Sequence, residues 1–551
     1  MAENNLSTIL DGVCESAEPT VNNDSPDWAD TLLEVLELCA DLAEQPLEQW
    51  VTQPFLLQDD IPSFAAAYIP FLYAGRKRLR ERAGSSVATL SSNAHKDIER
   101  ELLFTLARIA TPTLDQEVSL DAALTGTLPW SVRGGDASLK RDFAVKLAVG
   151  GWLDLFTIYP VLARLMACGV ERWVEQMVAF LRRLPHSPLG NNIRNGMFKN
   201  IAQACGDSHN GGKTVMLVEV QDGECLAYKS RSLALESGFQ ALLSCVNECG
   251  FSHPLRTISV VNAGNHGWME FVPASPCRNQ EEEHALNYRL GGLMCLLSFL
   301  QSTDSHRDNV VLAGEQAVIV DLETLLHPRI TPRTAEGLGP GSMRMQQRGT
   351  CDPVWLETGF LPIPQANGSA PTHDFSLLGT SGPLQDRLNV SKLLDGFNEM
   401  YLLVCEHKAV VRQCLETLES ATGRAVLRST FTYDTLLQQS VQPELMRNGV
   451  TRGIRFEVLR SAALRCGSYR ELRYVLDAEL EALENLDIPY FEHVVSEPGS
   501  GLSTYDESDV SPLTEVLARL DSAEPANLIV LTKAIEVALN TSKPEEVKYH
   551  E

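Results

Sequence analysis

A chain of 551 residues exceeds the roughly 250–300 at which one hydrophobic core stops growing, so more than one packed unit is expected. Hydrophobic residues make up 44% and charged residues 21%, usage that excludes a disordered or fibrous chain. Acidic residues outnumber basic ones 72 to 46, and the resulting net charge of −26 repels phosphate backbones, which excludes nucleic acid as a general partner.

The first residues lack a basic stretch followed by an apolar run. The greasiest segment, FAVKLAVGGWLDLF, carries Lys146 and Asp154 inside any spanning length, so a cytoplasmic protein without membrane insertion is expected. Thirteen cysteines, an odd number without a CxxC framework, suit reduced thiols; Cys245 and Cys249, one helical turn apart, are the closest pair.

Residues 1–27 read as a flexible acidic N-terminus. Apolar residues then recur at helical spacing from WADTLLEVLELCADLAEQ onward. DIERELLFTLARIA, the run from Asp154 to Leu184 and GNNIRNGMFKNIAQAC all favour helix, which gives a helical region over 28–200. The texture changes at GDSHNGGKTVMLVEVQDGECLAYKSRSL, a Gly-rich loop, a strand, an Asp222-Gly223 turn and a returning strand. A helix from Leu233, strands TISVVNA and GWMEFVP and a helix from Glu281 follow, a β-β-α-β-β-α order over 201–327. Residues 328–388 form a long Gly/Pro-rich segment of the kind that is functional or disordered. Residues 389–495 return to helix, and 496–551 form a linker and closing helices.

The stretch TDSHRDNVVLAGEQAVIVDLETLL concentrates acids at the ends of a short hairpin. With strands at 310–313 and 317–320 and a turn at 314–316, Asn309 falls opposite Asp321. Asp304 precedes Asn309 by five positions, the spacing between base and metal-binding asparagine in phosphoryl-transfer loops. That chemistry needs magnesium on hard oxygens and a carboxylate to deprotonate an incoming hydroxyl. Asn309 and Asp321 then hold metal, Asp304 is the base, and Glu323, on the same strand face as Asp321, is a second ligand or neighbour. Alternatively the acids only cap turns and end strands.

Folding 213–220 back on 224–229 brings Lys229 to the end where the glycines begin. Gly206, Gly211 and Gly212 let backbone amides approach phosphate, and Lys229 supplies a point charge. Glu270 to Val272 occupy the position of a hinge whose backbone binds adenine. Glu236 pairs with Lys229 or, as is commoner for such a helix, faces solvent.

GDSHNGG, YKSRSL, GWMEF, TDSHRDN and VDLETLL together resemble the dehydratase domain of class II lanthipeptide synthetases, from about residue 130 to 540. The resemblance implies an α+β, kinase-like (lipid-kinase-like) two-lobed catalytic core embedded in a mainly helical chain. It implies phosphorylation of Ser and Thr in a ribosomally made precursor peptide with ATP and Mg2+, then phosphate elimination to dehydroalanine or dehydrobutyrine. Lys229, Asp304, His306, Asn309, Asp321 and Glu323 match that family's phosphorylation motif. Asp207 and His209 of GDSH, with Arg424 and Thr430 of RAVLRST, match its elimination motif.

Beside the match, expelling phosphate needs a base and a cation for the leaving dianion: His209 suits the first, Arg424 the second, with Thr430 as a donor and Arg428 as a rival clamp. Ser230 stands where the family usually has proline, His266 where tyrosine is common and Asp308 where Glu is frequent. No fused cyclase follows, so a stand-alone dehydratase is expected, with a separate cyclase as partner wherever rings are made. The alternatives are a kinase that stops at the phosphate and an inactive module that binds the precursor.

Overall fold

The computed structural model describes residues 27–51, 61–124, 137–188, 198–203, 214–220, 223–329, 338, 358–361, 376–379, 382–384, 386–498 and 510–541. The chain divides into two units that alternate along the sequence: Met1–Leu226 with Thr430–Arg465 and Arg473–Pro489, and Ala227–Ser429 with Cys466–Leu472 and Tyr490–Glu551. Among the described residues no helix is long and apolar enough to cross a membrane.

The first unit opens with helices α1 (Asp27–Ala43), α2 (Ile69–Ala83), α3 (Ser92–Leu124) and α4 (Pro160–Arg183). The helical run expected from Asp154 breaks where Pro160 takes the first-turn position that suits a residue without an N–H. Trp152, buried against Phe71 and Phe156, donates its indole N–H to the Ala67 carbonyl at 2.8 Å, so the indole keeps a polar partner inside the apolar core. Glu171 of α4 is buried but paired with Arg78 at 2.7 Å and Arg82 at 2.9 Å.

Strands β1 (Phe198–Gln203) and β2 (Met216–Val220) pair antiparallel. The first lies inside a segment expected to be helical. Ile201 is buried and its amide donates to Asp97 at 3.0 Å, so long-range pairing overrides a weak local preference.

The second unit takes up the chain within β3 (Cys225–Lys229) and continues through α5 (Ala234–Glu248), β4 (Val260–Asn262), β5 (Gly267–Glu270) and α6 (Gln280–Phe299). Strand β3 lies beside β5, which pairs antiparallel with β4. The hairpin β6 (Val310–Ala313) and β7 (Gln316–Ile319), helices α7 (Val390–Glu406) and α8 (Lys408–Glu416) and strand β8 (Thr422–Ala425) come next. Back in the first unit stand α9 (Thr430–Ser440), α10 (Gly449–Phe456) and most of α11 (Tyr469–Glu484). Strand β9 (Phe491–Val494) and helices α12 (Pro512–Ser522) and α13 (Leu528–Thr541) complete the second.

The hairpin is buried on both faces. Val310, Ala317 and Ile319 enter the large core under α5, α6 and α7, while Val318 joins a smaller core with Leu233, Ile258, Met269 and Val272. The expected helical region 389–495 thus contains two strands, β8 and β9, paired antiparallel with Arg424 opposite Glu492. Parts of the long segment 328–388 also enter the core: Phe360, Leu361, Leu377 and Leu378 are buried there. The ten described free cysteines include Cys245, whose Sγ lies 2.7 Å from that of Cys414 on α8.

Helices α6 and α7 meet backbone to backbone. A Cβ on Gly291 would stand 1.8 Å from the Leu393 carbonyl oxygen, and one on Gly396 would stand 1.9 Å from that of Tyr288. Gly291→Ala and Gly396→Ala should each lower stability by about 1–3 kcal/mol or more, because a methyl group has nowhere to go without separating the helices. A lower urea midpoint checks this, and an unchanged midpoint would mean that the helices do not touch there.

Candidate functional site

Lys229 closes β3 and is buried. Its Nζ donates to the Val320 carbonyl at 2.7 Å and lies 3.3 Å from Asp321 Oδ2 and 3.8 Å from Glu236 Oε1. Glu236, in the first turn of α5, is fully buried, contrary to the expectation that it faces solvent. Arg231 sits two residues beyond Lys229 and reaches three acids: Glu236 Oε1 at 2.5 Å, Asp321 Oδ1 at 2.6 Å and Glu323 Oε2 at 3.0 Å. Arg424, on β8, completes the ring through Glu323 Oε1 at 2.7 Å. Its backbone N–H donates to the Glu323 carbonyl at 2.6 Å, and its guanidinium lies 5.5 Å from the centre of the Tyr490 ring.

The hairpin register differs by one residue from the expectation. Val310 pairs with Ile319 and Ala313 with Gln316, and Val320 N–H donates to the Asn309 carbonyl at 2.9 Å, so Asn309 faces Val320 and not Asp321. A two-residue turn with Gly314 at φ 61° causes the slip, since glycine accepts the left-handed backbone a tight hairpin turn needs. Strand β7 ends at Ile319, so Asp321 and Glu323 share no strand face. They are drawn together by the Glu323 N–H, 3.3 Å from Asp321 Oδ1, and by Arg231.

Asp304, His306 and Asn309 form a compact loop ahead of β6. Asn309 Nδ2 donates to the Asp304 carbonyl at 2.7 Å, leaving its carboxamide oxygen as an acceptor. His306 Nδ1 accepts from the Asp308 N–H at 3.2 Å, which puts the proton of a neutral ring on Nε2, the atom 3.4 Å from Asp304 Oδ1. Gly359 backs this loop. Ser305 N–H donates to Thr358 at 2.9 Å, and at Gly359, with φ 85°, a Cβ would stand 2.9 Å from the His306 nitrogen.

Burial pushes the Asp304 carboxyl up to about 6; Glu323 and Asp321 add to the shift, while His306 and Arg424 oppose it. Asp321 goes the other way. Although burial raises it, Lys229 and Arg231 hold it well below the usual carboxylate range. Two neighbouring acids with pKa values driven apart suit one as a proton acceptor near neutrality and the other as a fixed anion. The oxygens of Asp321, Glu323 and Asn309 suit a hard divalent ion in donor type, and the acids already close around a cation, the Arg231 guanidinium. Among the described residues, no three His, Cys, Asp or Glu side chains are arranged to hold a metal ion.

Other expected residues are distributed as follows. Glu270 donates its N–H to Ser259 at 2.9 Å, so that amide is not available to a base, and Val272 is buried in the smaller core. Arg428 is buried and donates to the Leu338 carbonyl. Thr430 begins α9 and belongs to the first unit. Gly206, Asp207, His209, Gly211 and Gly212 lie outside the described residues. Arg231, Tyr490 and Gly359 were not singled out from the sequence. Only Arg231 had a local signal, because alternate residues of an extended chain share a side and Lys229 is two before it.

A protein-family model described as "Domain of unknown function (DUF4135)" matches residues 159–391 and 388–493. The chain is also similar to the lacticin 481/lactococcin biosynthesis protein LcnDR2 of Lactococcus lactis subsp. lactis, 22% identical over 335 residues that cover 52% of this chain and 35% of that protein. It therefore matches about a third of that relative's length.

Behind Arg424, buried His327 accepts the Val426 N–H on Nε2 at 2.8 Å, and desolvation first, then neighbouring His493, lowers its pKa to about 3. A histidine held neutral by folding binds fewer protons folded than unfolded between that value and its ordinary 6.5. Its stabilising contribution is complete above 6.5 and falls by up to about 1.4 kcal/mol per pH unit below it. Thermal unfolding followed from pH 7 to 4 should show this loss, and His327→Gln should flatten it; equal slopes in both proteins would discount the histidine.

Proposed function

Because the chain belongs to the DUF4135 family, which matches more than half of it, and resembles a lantibiotic biosynthesis protein, we propose that it is a lanthipeptide-type dehydratase. In this reading it phosphorylates Ser and Thr of a ribosomal precursor peptide with ATP and Mg2+ on a kinase-like core, then eliminates phosphate to leave dehydroalanine or dehydrobutyrine. The observation that supports it most is Lys229 against Asp321 at 3.3 Å, with Asp304, Asn309, Glu323 and Arg424 in the same unit. Four separate stretches of chain converge there, which turn-capping acids and a strand-end lysine do not require.

Asp304 accepts the proton of the substrate hydroxyl as its oxygen bonds to the γ-phosphorus and the bond to ADP breaks. His306 orients that carboxylate through Nε2. Lys229 holds nucleotide phosphate oxygens by charge, and Asn309 and Asp321 would hold the magnesium, with Glu323 beside them. When bound, the ion neutralises charge on the β- and γ-phosphates. In elimination a base removes the Cα proton, the C–O bond to phosphate breaks and a C=C bond forms; Arg424 steadies the leaving phosphate, with Asp207, His209 and Thr430 carried over from the resemblance.

One observation favours a kinase-only reading. Arg424 is buried and committed to Glu323 by side chain and backbone, the posture of a structural tie instead of a phosphate clamp.

The test is mass spectrometry of the lacticin 481 precursor and similar ribosomal peptides after incubation with ATP and Mg2+. Loss of water supports the dehydratase, added phosphate the kinase alone, and unchanged peptides with no ATP consumed count against both. Asp304→Asn should lower phosphate transfer about 10²–10⁴-fold. Arg424→Ala should let phosphopeptide accumulate, and equal loss of both steps would remove its separate role. The transfer rate should climb as pH rises through about 6, because Asp304 must be ionised to accept a proton, and a rate flat from pH 5 to 8 contradicts that role.

A further inference from the structure

Arg231 has no part in the phosphoryl transfer just described, yet it makes the tightest contacts of the cluster. Its Nη2 serves Glu236 and Asp321 together, and its Nε serves Glu323. Both oxygens of Asp321 are thereby engaged, Oδ1 by Arg231 and Oδ2 by Lys229. So are both of Glu323, Oε1 by Arg424 and Oε2 by Arg231. A divalent ion needs those same oxygens, so it cannot approach while the guanidinium stays. Four acids, Glu236, Asp304, Asp321 and Glu323, face three cations, Lys229, Arg231 and Arg424, so a dication added to the intact set would turn the local balance from −1 to +1 and repel the arginine.

Arg231 is the cation free to go. Its side chain is 20% exposed against 7% for Lys229 and 6% for Arg424, and it stands beyond the end of β3. Its departure does not strand Glu236: Lys229 is already 3.8 Å from Oε1, and the buried Oε2 has no hydrogen-bond partner and can take a second donor.

We propose that Arg231 holds the position of the divalent ion until nucleotide arrives, then exchanges its carboxylates for the triphosphate and becomes a second phosphate-binding residue beside Lys229. The inference rests on the ATP-dependent reading above. Its chemistry is general: a guanidinium fork suits phosphate as well as carboxylate, and an incoming metal–nucleotide complex supplies both the competitor for the old partners and the new ones.

Mn2+ serves as an ion visible to electron paramagnetic resonance, titrated into the full chain without nucleotide. Arg231→Lys keeps the charge the buried acids require, and Arg231→Gln combined with Glu236→Gln keeps the local balance. Both should bind Mn2+ about tenfold more tightly than the wild type, the equivalent of one charge-assisted hydrogen bond no longer competing. Both should bind the Mg2+ complex of a non-hydrolysable ATP analogue about tenfold more weakly. Mn2+ affinity within twofold of the wild type, in a variant that melts near the wild-type temperature, overturns the exchange; tighter Mn2+ with unchanged analogue affinity overturns the phosphate role. If the wild type binds no analogue at all, the ATP reading falls, while the Mn2+ comparison still decides whether the guanidinium stands in for a dication.

Discussion

A buried carboxylate must be matched by a cation, and the second unit is organised around meeting that demand. Leaving a buried carboxylate such as Glu236 uncompensated costs about 3–5 kcal/mol, and Glu236, with half-buried Asp321 and Glu323 beside it, is met by Lys229, Arg231 and Arg424. The requirement links the end of β3, the first turn of α5, the chain leaving β7 and strand β8, segments far apart in sequence. Satisfying charges here and selecting a topology are one act.

The hairpin and the helix pair give the ring a fixed frame. Because β6 and β7 bury side chains on both faces, a slip of one residue would send Val318 and Ile319 into each other's cores, so the pairing has one acceptable register. Helix α6, pressed against α7 at Gly291 and Gly396, leads directly into the loop of Asp304 and His306. The loop of Asp304 and His306 thus follows a helix anchored through its middle against α7.

What could be read from the sequence was what spacing determines. Asp304, Asn309, Asp321 and Glu323 are near one another in the chain, and Lys229 at a strand end announces itself by type and position. The hairpin register was not legible, because it turns on whether Gly314 takes the left-handed backbone and shortens the turn to two residues. Strand β1 and the pair β8–β9 were missed for a different reason: their partners are distant, and a segment such as FKNIAQ carries no local pattern strong enough to announce a strand. Glu236 misled because a single acid in a helix's first turn normally faces water, and only the fold reveals cations beneath it.

The tie between Gly359 and the Asp304 loop bears on how this architecture can vary. Leu377 N–H donates to the Gly359 carbonyl at 3.2 Å and Leu378 N–H to that of Phe360 at 2.9 Å, so the chain leaving Leu361 and the chain returning at Ser376 are moored side by side. The Asp304 loop is therefore held at second hand, through the backbone tie of 359–360 to 377–378, so a change at Leu377 or Leu378 can reach the acidic loop without touching it.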